Sequence, residues 1–91
     1  MITEKINILI ADDHQMVIDG LKSLLSAEEA YNVVAEANNG QVAYEMIAAQ
    51  PDNFELLLTD ISMPLLTGTQ LCRMVKDKYP HIQVLILRKK K

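Results

Sequence analysis

The 91-residue sequence predicts a single α/β domain with three layers, in which helices cover both faces of a parallel four-stranded sheet. Four short apolar runs alternate with amphipathic stretches along the whole chain. Apolar residues make up 49% of the chain, which is enough for one small core. Because each strand is followed by a helix, right-handed crossovers and parallel pairing are expected.

The predicted strands are the four apolar runs, 6–11, 31–37, 54–60 and 82–87. Each run is too short for a core helix. Each is also dense enough in Leu, Ile and Val for a strand that is buried on both faces.

The predicted helices are the amphipathic stretches 15–27, 40–50 and 67–79. Asn38-Asn39-Gly40 supplies a turn and an N-terminal cap for the second of them, and Pro80 stops the third. The apolar stripes expected to face the sheet consist of Val17, Leu21, Leu24 and Leu25 in the first helix, Ala43, Met46 and Ile47 in the second, and Leu71, Met74 and Val75 in the third.

Bulk properties exclude several classes of protein. The formal net charge of −3 argues against a general nucleic-acid binder, and the only basic cluster is Arg88–Lys91. The single cysteine, Cys72, cannot form an internal disulfide, which suits a reducing compartment. The sequence shows no secretory leader and no apolar stretch near the roughly 18 residues of a membrane helix. We therefore expect a cytoplasmic protein.

Three carboxylates follow two of the predicted strands. Asp12 and Asp13 come directly after the run 6–11, and Asp60 ends the run 54–60 shortly before Pro64. Open parallel sheets bind ligands beyond the carboxyl ends of their strands, so these acids lie where such folds place their sites.

Clustered carboxylates repel one another, and a divalent cation relieves that repulsion. Oxygen ligands suit Mg²⁺, and a carboxylate beside Mg²⁺ can act as a nucleophile toward a phosphoryl group. The alternative is that Asp12 and Asp13 cap the first helix and that Asp60 starts a turn. The presence of acids at matching ends of two strands favours a site.

Two motifs and a glycine resemble a known family. Ile-Leu-Ile-Ala-Asp-Asp-His at 8–14, Leu-Leu-Thr-Asp-Ile-Ser-Met-Pro at 57–64, and Gly68 are similar to the receiver domain of two-component response regulators. Within that family, the sequence most resembles the LuxR/NarL-type group. The resemblance extends from about residue 5 to residue 87.

The resemblance implies a CheY-like, flavodoxin-like fold with strand order 2-1-3-4. It also implies that Asp60 accepts a phosphoryl group from a sensor histidine kinase in the presence of Mg²⁺. Asp13 would be a direct metal ligand, Asp12 would act largely through water, and Ser62 would contribute its backbone carbonyl. The residues that would shape the loop after the acceptor are Pro64 and Gly68.

The sequence also departs from the family pattern. Arg88 stands where receivers carry the switch Ser or Thr, and the fourth helix, fifth strand and fifth helix have no counterpart before Lys91. Leu65 and Leu66 replace small or flexible residues of the commoner Pro-Gly-Met-Asn-Gly loop. We therefore expect residues 1–91 to form a C-terminally truncated receiver. Lys89–Lys91 are expected to be a solvated tail, or alternatively to replace the missing lysine of the fifth strand.

A truncated receiver would leave the strand 82–87 as an open edge and would uncover apolar side chains of strands one and three. A homodimer or higher homo-oligomer is the expected result. The alternative function is a remnant that cannot switch and instead self-associates or titrates a kinase. A Mg²⁺-dependent phosphatase is disfavoured because Ser62 stands where such enzymes place a second Asp, so we do not expect an enzyme.

Overall fold

The computed structural model describes residues 5–87, in which strands and helices alternate. The four strands are β1 (Ile6–Ala11), β2 (Tyr31–Ala37), β3 (Leu56–Asp60) and β4 (Gln83–Leu87). The three helices are α1 (Gln15–Leu25), α2 (Gly40–Ala49) and α3 (Gly68–Lys78), and a single 3₁₀ turn spans Pro51–Asn53. None of the helices in this part of the chain is long and apolar enough to cross a membrane.

All strand pairs are parallel, and the sheet has the order β2-β1-β3-β4. The predicted fold class and strand order are therefore confirmed. The main difference in boundaries is at β3, which begins at Leu56 instead of 54. The 3₁₀ turn over Pro51–Asn53 ends just before Phe54, which is buried in the core two residues before the strand begins.

Each face of the sheet has its own core. Helices α2 and α3 cover one face, where the largest fully buried side chains are Leu9, Ile47, Leu57, Leu71, Val75 and Ile82. Helix α1 covers the other face, where Ile8, Ile10, Ile18 and Leu58 form a smaller cluster. The predicted three-layer arrangement follows from this division.

The apolar stripe of α1 differs from the predicted one. Ile18 is the buried residue of the helix, and Leu21 and Leu25 pack beside it. Leu24, which was expected in the stripe, is 72% exposed. Spacings of three and four residues put 18, 21 and 25 on one side of a helix, whereas Leu24 is turned away from their centre.

The sheet face that was predicted to expose apolar side chains is covered, whereas β4 exposes one. Ile8, Ile10 and Leu58 are at most 6% exposed, because α1 already covers the centre of that face. Leu85 in β4 is 53% exposed. Among residues 5–87, no strand pairs with the outer edge of β4. The expected open edge is present, while the expected exposure of strands one and three is wrong at these positions.

The loop between β3 and α3 contains a strained turn. Leu65 has a φ of 71°, and the Leu66 amide donates to the Pro64 carbonyl at 2.7 Å. This bond and this φ belong to the rarer kind of γ-turn, which is unfavourable for a residue with a Cβ atom. Glycine adopts this conformation without the steric cost.

The same loop packs directly against the start of α2. A Cβ atom added at Gly40 would collide with the backbone carbonyl and the Cβ atom of Leu66. Asn39 caps this helix, because its side chain accepts a hydrogen bond from the Val42 amide at 2.8 Å. The predicted cap is confirmed, and the absence of a side chain at position 40 lets the two segments approach.

We expect Gly40→Ala to destabilise the protein by about 2 kcal/mol or more, because the new methyl group meets backbone that cannot move aside. The matched control is Gly20→Ala in α1, where an added Cβ has nothing within 4 Å. That change should stabilise the protein by about 0.5–1 kcal/mol through helix propensity. Denaturant unfolding measures both, and equal effects of the two substitutions would contradict the contact.

Leu65→Gly should raise the stability by roughly 0.5–1 kcal/mol, since glycine removes the steric cost of the positive φ. For a domain of this size the melting temperature should rise by about 2–6 °C. Leu65→Ala is the control, because it removes the exposed side chain but keeps the strained backbone. If alanine stabilises as much as glycine, the strain is not the cause.

Candidate functional site

The register of the sheet brings two acids together at the carboxyl ends of two central strands. Ala11 of β1 pairs with Ala37 on one side and with Thr59 of β3 on the other. The next residue after each of the paired positions Ala11 and Thr59 is an aspartate, so Asp12 and Asp60 emerge side by side. Both are buried, at 1% and 6% exposure.

Four side chains converge at this point. One ligand atom from each of Asp12, Asp13, His14 and Asp60 lies within 4.8 Å of the others. The His14 Nδ1 atom is 3.2 Å from Asp12 Oδ1 and 3.0 Å from Asp13 Oδ1. The three acids singled out in the sequence therefore form one cluster, and His14 joins them.

Backbone contacts fix the orientation of Asp60. The Ile61 amide donates to Asp60 Oδ1 at 2.8 Å, and the Thr59 hydroxyl donates to the Asp60 carbonyl at 3.0 Å. The Gly68 amide donates to the Ile61 carbonyl at 2.7 Å. A Cβ atom at Gly68 would collide with the Asp60 carbonyl, so the start of α3 lies directly against the backbone of this aspartate.

Helix capping does not explain the first pair of acids. The N-cap residue of α1 is His14, so neither Asp12 nor Asp13 occupies the cap position. Asp12 Oδ1 instead accepts a hydrogen bond from the His14 amide at 2.9 Å. This bond fixes the short segment that carries all three side chains to the end of β1.

The donor set suits a hard divalent cation. Three carboxylates supply oxygen atoms, which are the ligands that Mg²⁺ prefers, and two of these carboxylates are buried where their repulsion is strongest. A cation among them offsets that repulsion. The residues present therefore fit a Mg²⁺ ion.

The loop after Asp60 is anchored by a residue that the sequence did not single out. Met63 is buried in the core, and its sulfur lies 3.8 Å from the Thr59 hydroxyl. Ser62 and Pro64 on either side are exposed. The sequence does contain a pattern that indicates this burial. Met63 is an apolar residue between a polar one and a turn-forming one, as expected for a loop residue that points inward.

Two features of the sequence lie outside the described residues. The first is Arg88, which is expected at the position of the family's switch hydroxyl, and the second is the run Lys89–Lys91.

Residues 8–91 match the family described as response regulator receiver domain. Among curated relatives, the transcriptional regulatory protein DegU of Brevibacillus brevis is 37% identical over 91% of this chain and 34% of its own length. The transcriptional regulatory protein LnrK of Bacillus subtilis is 39% identical over 90% and 36%. The chain spans about a third of the length of these relatives.

Solved structures agree with this assignment. The receiver domain of the response regulator NarL from Mycobacterium tuberculosis superposes with a TM-score of 0.88 at 30% identity, covering 98% of this chain and 70% of that one. The isolated receiver domain of RcsB from Salmonella enterica, in the presence of the phosphomimetic BeF₃⁻, gives 0.83 at 30% identity, covering 97% and 64%. The sequence match over residues 8–91, the strand order and the cluster of acids lead to one conclusion: this chain belongs to the receiver-domain family of two-component response regulators.

Proposed function

We propose that Asp60 accepts a phosphoryl group from a histidine kinase and that this reaction requires Mg²⁺. The observation that carries the proposal is the position of Asp60. It is a buried carboxylate at the carboxyl end of β3, with a ligand atom within 4.8 Å of those of Asp12 and Asp13. The phosphomimetic in the RcsB receiver structure supports the same chemistry in a relative that is 30% identical.

Mg²⁺ would be held by Asp13 and Asp60 directly, by Asp12 largely through water, and by the backbone carbonyl of Ser62. Bound there, the cation supplies positive charge that offsets repulsion between the carboxylates and an incoming phosphoryl group. The exposed Ser62 and Asp13 lie on the side that solvent and a phosphoryl donor can reach. The buried Asp12 and Asp60 form the base of the site.

In the proposed transfer, a carboxylate oxygen of Asp60 attacks phosphorus and forms the new P–O bond. The P–N bond of the kinase phosphohistidine breaks, and its electron pair returns to the imidazole of the kinase. The Ile61 amide, which donates to Asp60 Oδ1, holds the carboxylate in a fixed orientation. Pro64 and Gly68 shape the loop that keeps this amide in place.

The partner we propose is therefore a sensor histidine kinase, in a cytoplasmic setting. The relatives DegU and LnrK are transcriptional regulatory proteins. The net charge of −3 argues against general nucleic-acid binding by this segment. Phosphorylation of Asp60 would be read out through protein contacts.

Asp60→Asn should abolish phosphorylation by acetyl phosphate in the presence of Mg²⁺, because an amide cannot serve as the nucleophile. Intact-mass spectrometry measures the addition of one phosphoryl group. The matched control is Asp52→Asn in the exposed 3₁₀ turn, which should be phosphorylated like the unaltered protein. Chelation of divalent ions before the donor is added should prevent the adduct in the unaltered protein and in Asp52→Asn.

An adduct that persists in Asp60→Asn, or that maps by proteolysis to another residue, would contradict the assignment of the acceptor. An adduct that forms equally well after chelation would contradict the requirement for Mg²⁺ and leave the acceptor intact. The two parts of the proposal are thus tested separately.

We also propose that the chain self-associates through β4. Its outer edge pairs with no strand of residues 5–87, and the side chain of Leu85 in this strand is more than half exposed. Val84, Ile86 and Leu87 beside it are only partly buried. A second copy that pairs along this edge would satisfy backbone groups and cover apolar surface in both chains.

Leu85→Lys should weaken this association by about tenfold or more, because it places a charge in the apolar contact of both copies. Leu24→Lys is the control: Leu24 is 72% exposed on α1, away from β4. Sedimentation equilibrium over a range of concentrations measures the dissociation constants. A monomer at all concentrations, or equal weakening by both substitutions, would exclude the β4 interface.

A further inference from the structure

We propose that His14 is a nitrogen ligand of the metal site, so that the site binds borderline transition-metal ions such as Ni²⁺ and Zn²⁺ far more tightly than its carboxylates alone would. The inference deepens the proposed function and rests on it for the location of the metal. It concerns a residue that the carboxylate site does not require.

The position of the imidazole carries the argument. His14 Nδ1 lies 3.2 Å from Asp12 Oδ1 and 3.0 Å from Asp13 Oδ1. Neighbouring ligand atoms around a six-coordinate ion are about 3.0 Å apart when the bonds to the metal are about 2.1 Å long. The nitrogen is thus separated from the oxygen of Asp13, the proposed direct ligand, by the distance expected of adjacent ligands on one ion.

The backbone holds His14 at this place. Its amide donates to Asp12 Oδ1 at 2.9 Å, and its carbonyl accepts from the amides of Val17 and Ile18 at 3.0 and 3.2 Å. The residue is therefore fixed between the end of β1 and the first turn of α1. Its side chain is 62% exposed, so an ion from solvent can reach the nitrogen.

Ligand chemistry determines which ions benefit. Imidazole is a good ligand for Ni²⁺, Zn²⁺ and Co²⁺, whereas Mg²⁺ prefers oxygen and retains water molecules. Removing the imidazole should therefore weaken transition-metal binding and leave Mg²⁺ binding nearly unchanged. The same contacts would also arise if His14 only formed hydrogen bonds with the two acids. In that case, removing the imidazole would not weaken Ni²⁺ binding more than Mg²⁺ binding.

The test compares the untagged protein with His14→Asn by isothermal titration calorimetry, using NiCl₂ and MgCl₂ separately. Asparagine is a favourable N-cap residue, so the start of α1 should remain intact. We expect the Ni²⁺ dissociation constant to rise by about tenfold or more and that of Mg²⁺ to change less than about threefold. The matched control is His81→Asn, because His81 contacts the Pro51 carbonyl and not the acidic cluster.

A second measurement reports ligation directly. The visible absorption of bound Co²⁺ should differ between the unaltered protein and His14→Asn, and should be the same in His81→Asn. If His14→Asn changes Ni²⁺ and Mg²⁺ affinity by the same factor, or leaves the Co²⁺ spectrum unaltered, His14 is not a ligand. If the unaltered protein binds no Mg²⁺ but its Ni²⁺ binding depends on His14, the proposed Mg²⁺ function fails while the role of His14 stands.

Discussion

The parallel pairing of β1 with β3 is the constraint on which the rest of the structure depends. It places Ala11 opposite Thr59, and so sets Asp12 and Asp60 side by side at the carboxyl ends of the two strands. A shift of one residue would exchange the two faces of a strand, and would move Leu9 and Leu57 out of the α2–α3 core together with the acids. The stability of the core and the position of Asp60 are therefore set by the same register. The favourable free energy of the hydrophobic packing beneath the acids offsets the repulsion between them.

Close backbone approaches then fix the surroundings of Asp60. Gly68 allows α3 to begin against the carbonyl of Asp60, and Gly40 allows α2 to begin against Leu66. Met63 anchors the loop between these two contacts in the core. The loop is thus held at both ends and in the middle, although most of its side chains are exposed. An ordered loop keeps the amide of Ile61 on the carboxylate of Asp60.

The sequence predicted the fold and the cluster of acids because both depend on strong local patterns. The apolar runs defined β1 and β2 to the residue, and the acids follow runs whose strand ends must meet. The failures have a different origin. The exposure of Leu24 and the burial of Ile18 depend on how α1 is rotated over the sheet, which periodicity fixes only within about one residue. The covering of Ile8, Ile10 and Leu58 depends on how far α1 reaches across β3. The contacts of His14 and Leu66 arise between segments, so no single stretch of sequence contains them.

The turn at Leu65 also has a consequence for conformational equilibrium. A residue with a Cβ atom at a φ of 71° costs roughly 1–2 kcal/mol relative to an extended or right-handed conformation. That cost narrows the free-energy gap between this arrangement of the loop and any other in which Leu65 relaxes. Since 1.4 kcal/mol corresponds to about a factor of ten in population, the strained leucine enlarges the minor population that an event at Asp60 could select. A glycine at position 65 would remove this cost and so lower the free energy of the present loop arrangement relative to the alternatives.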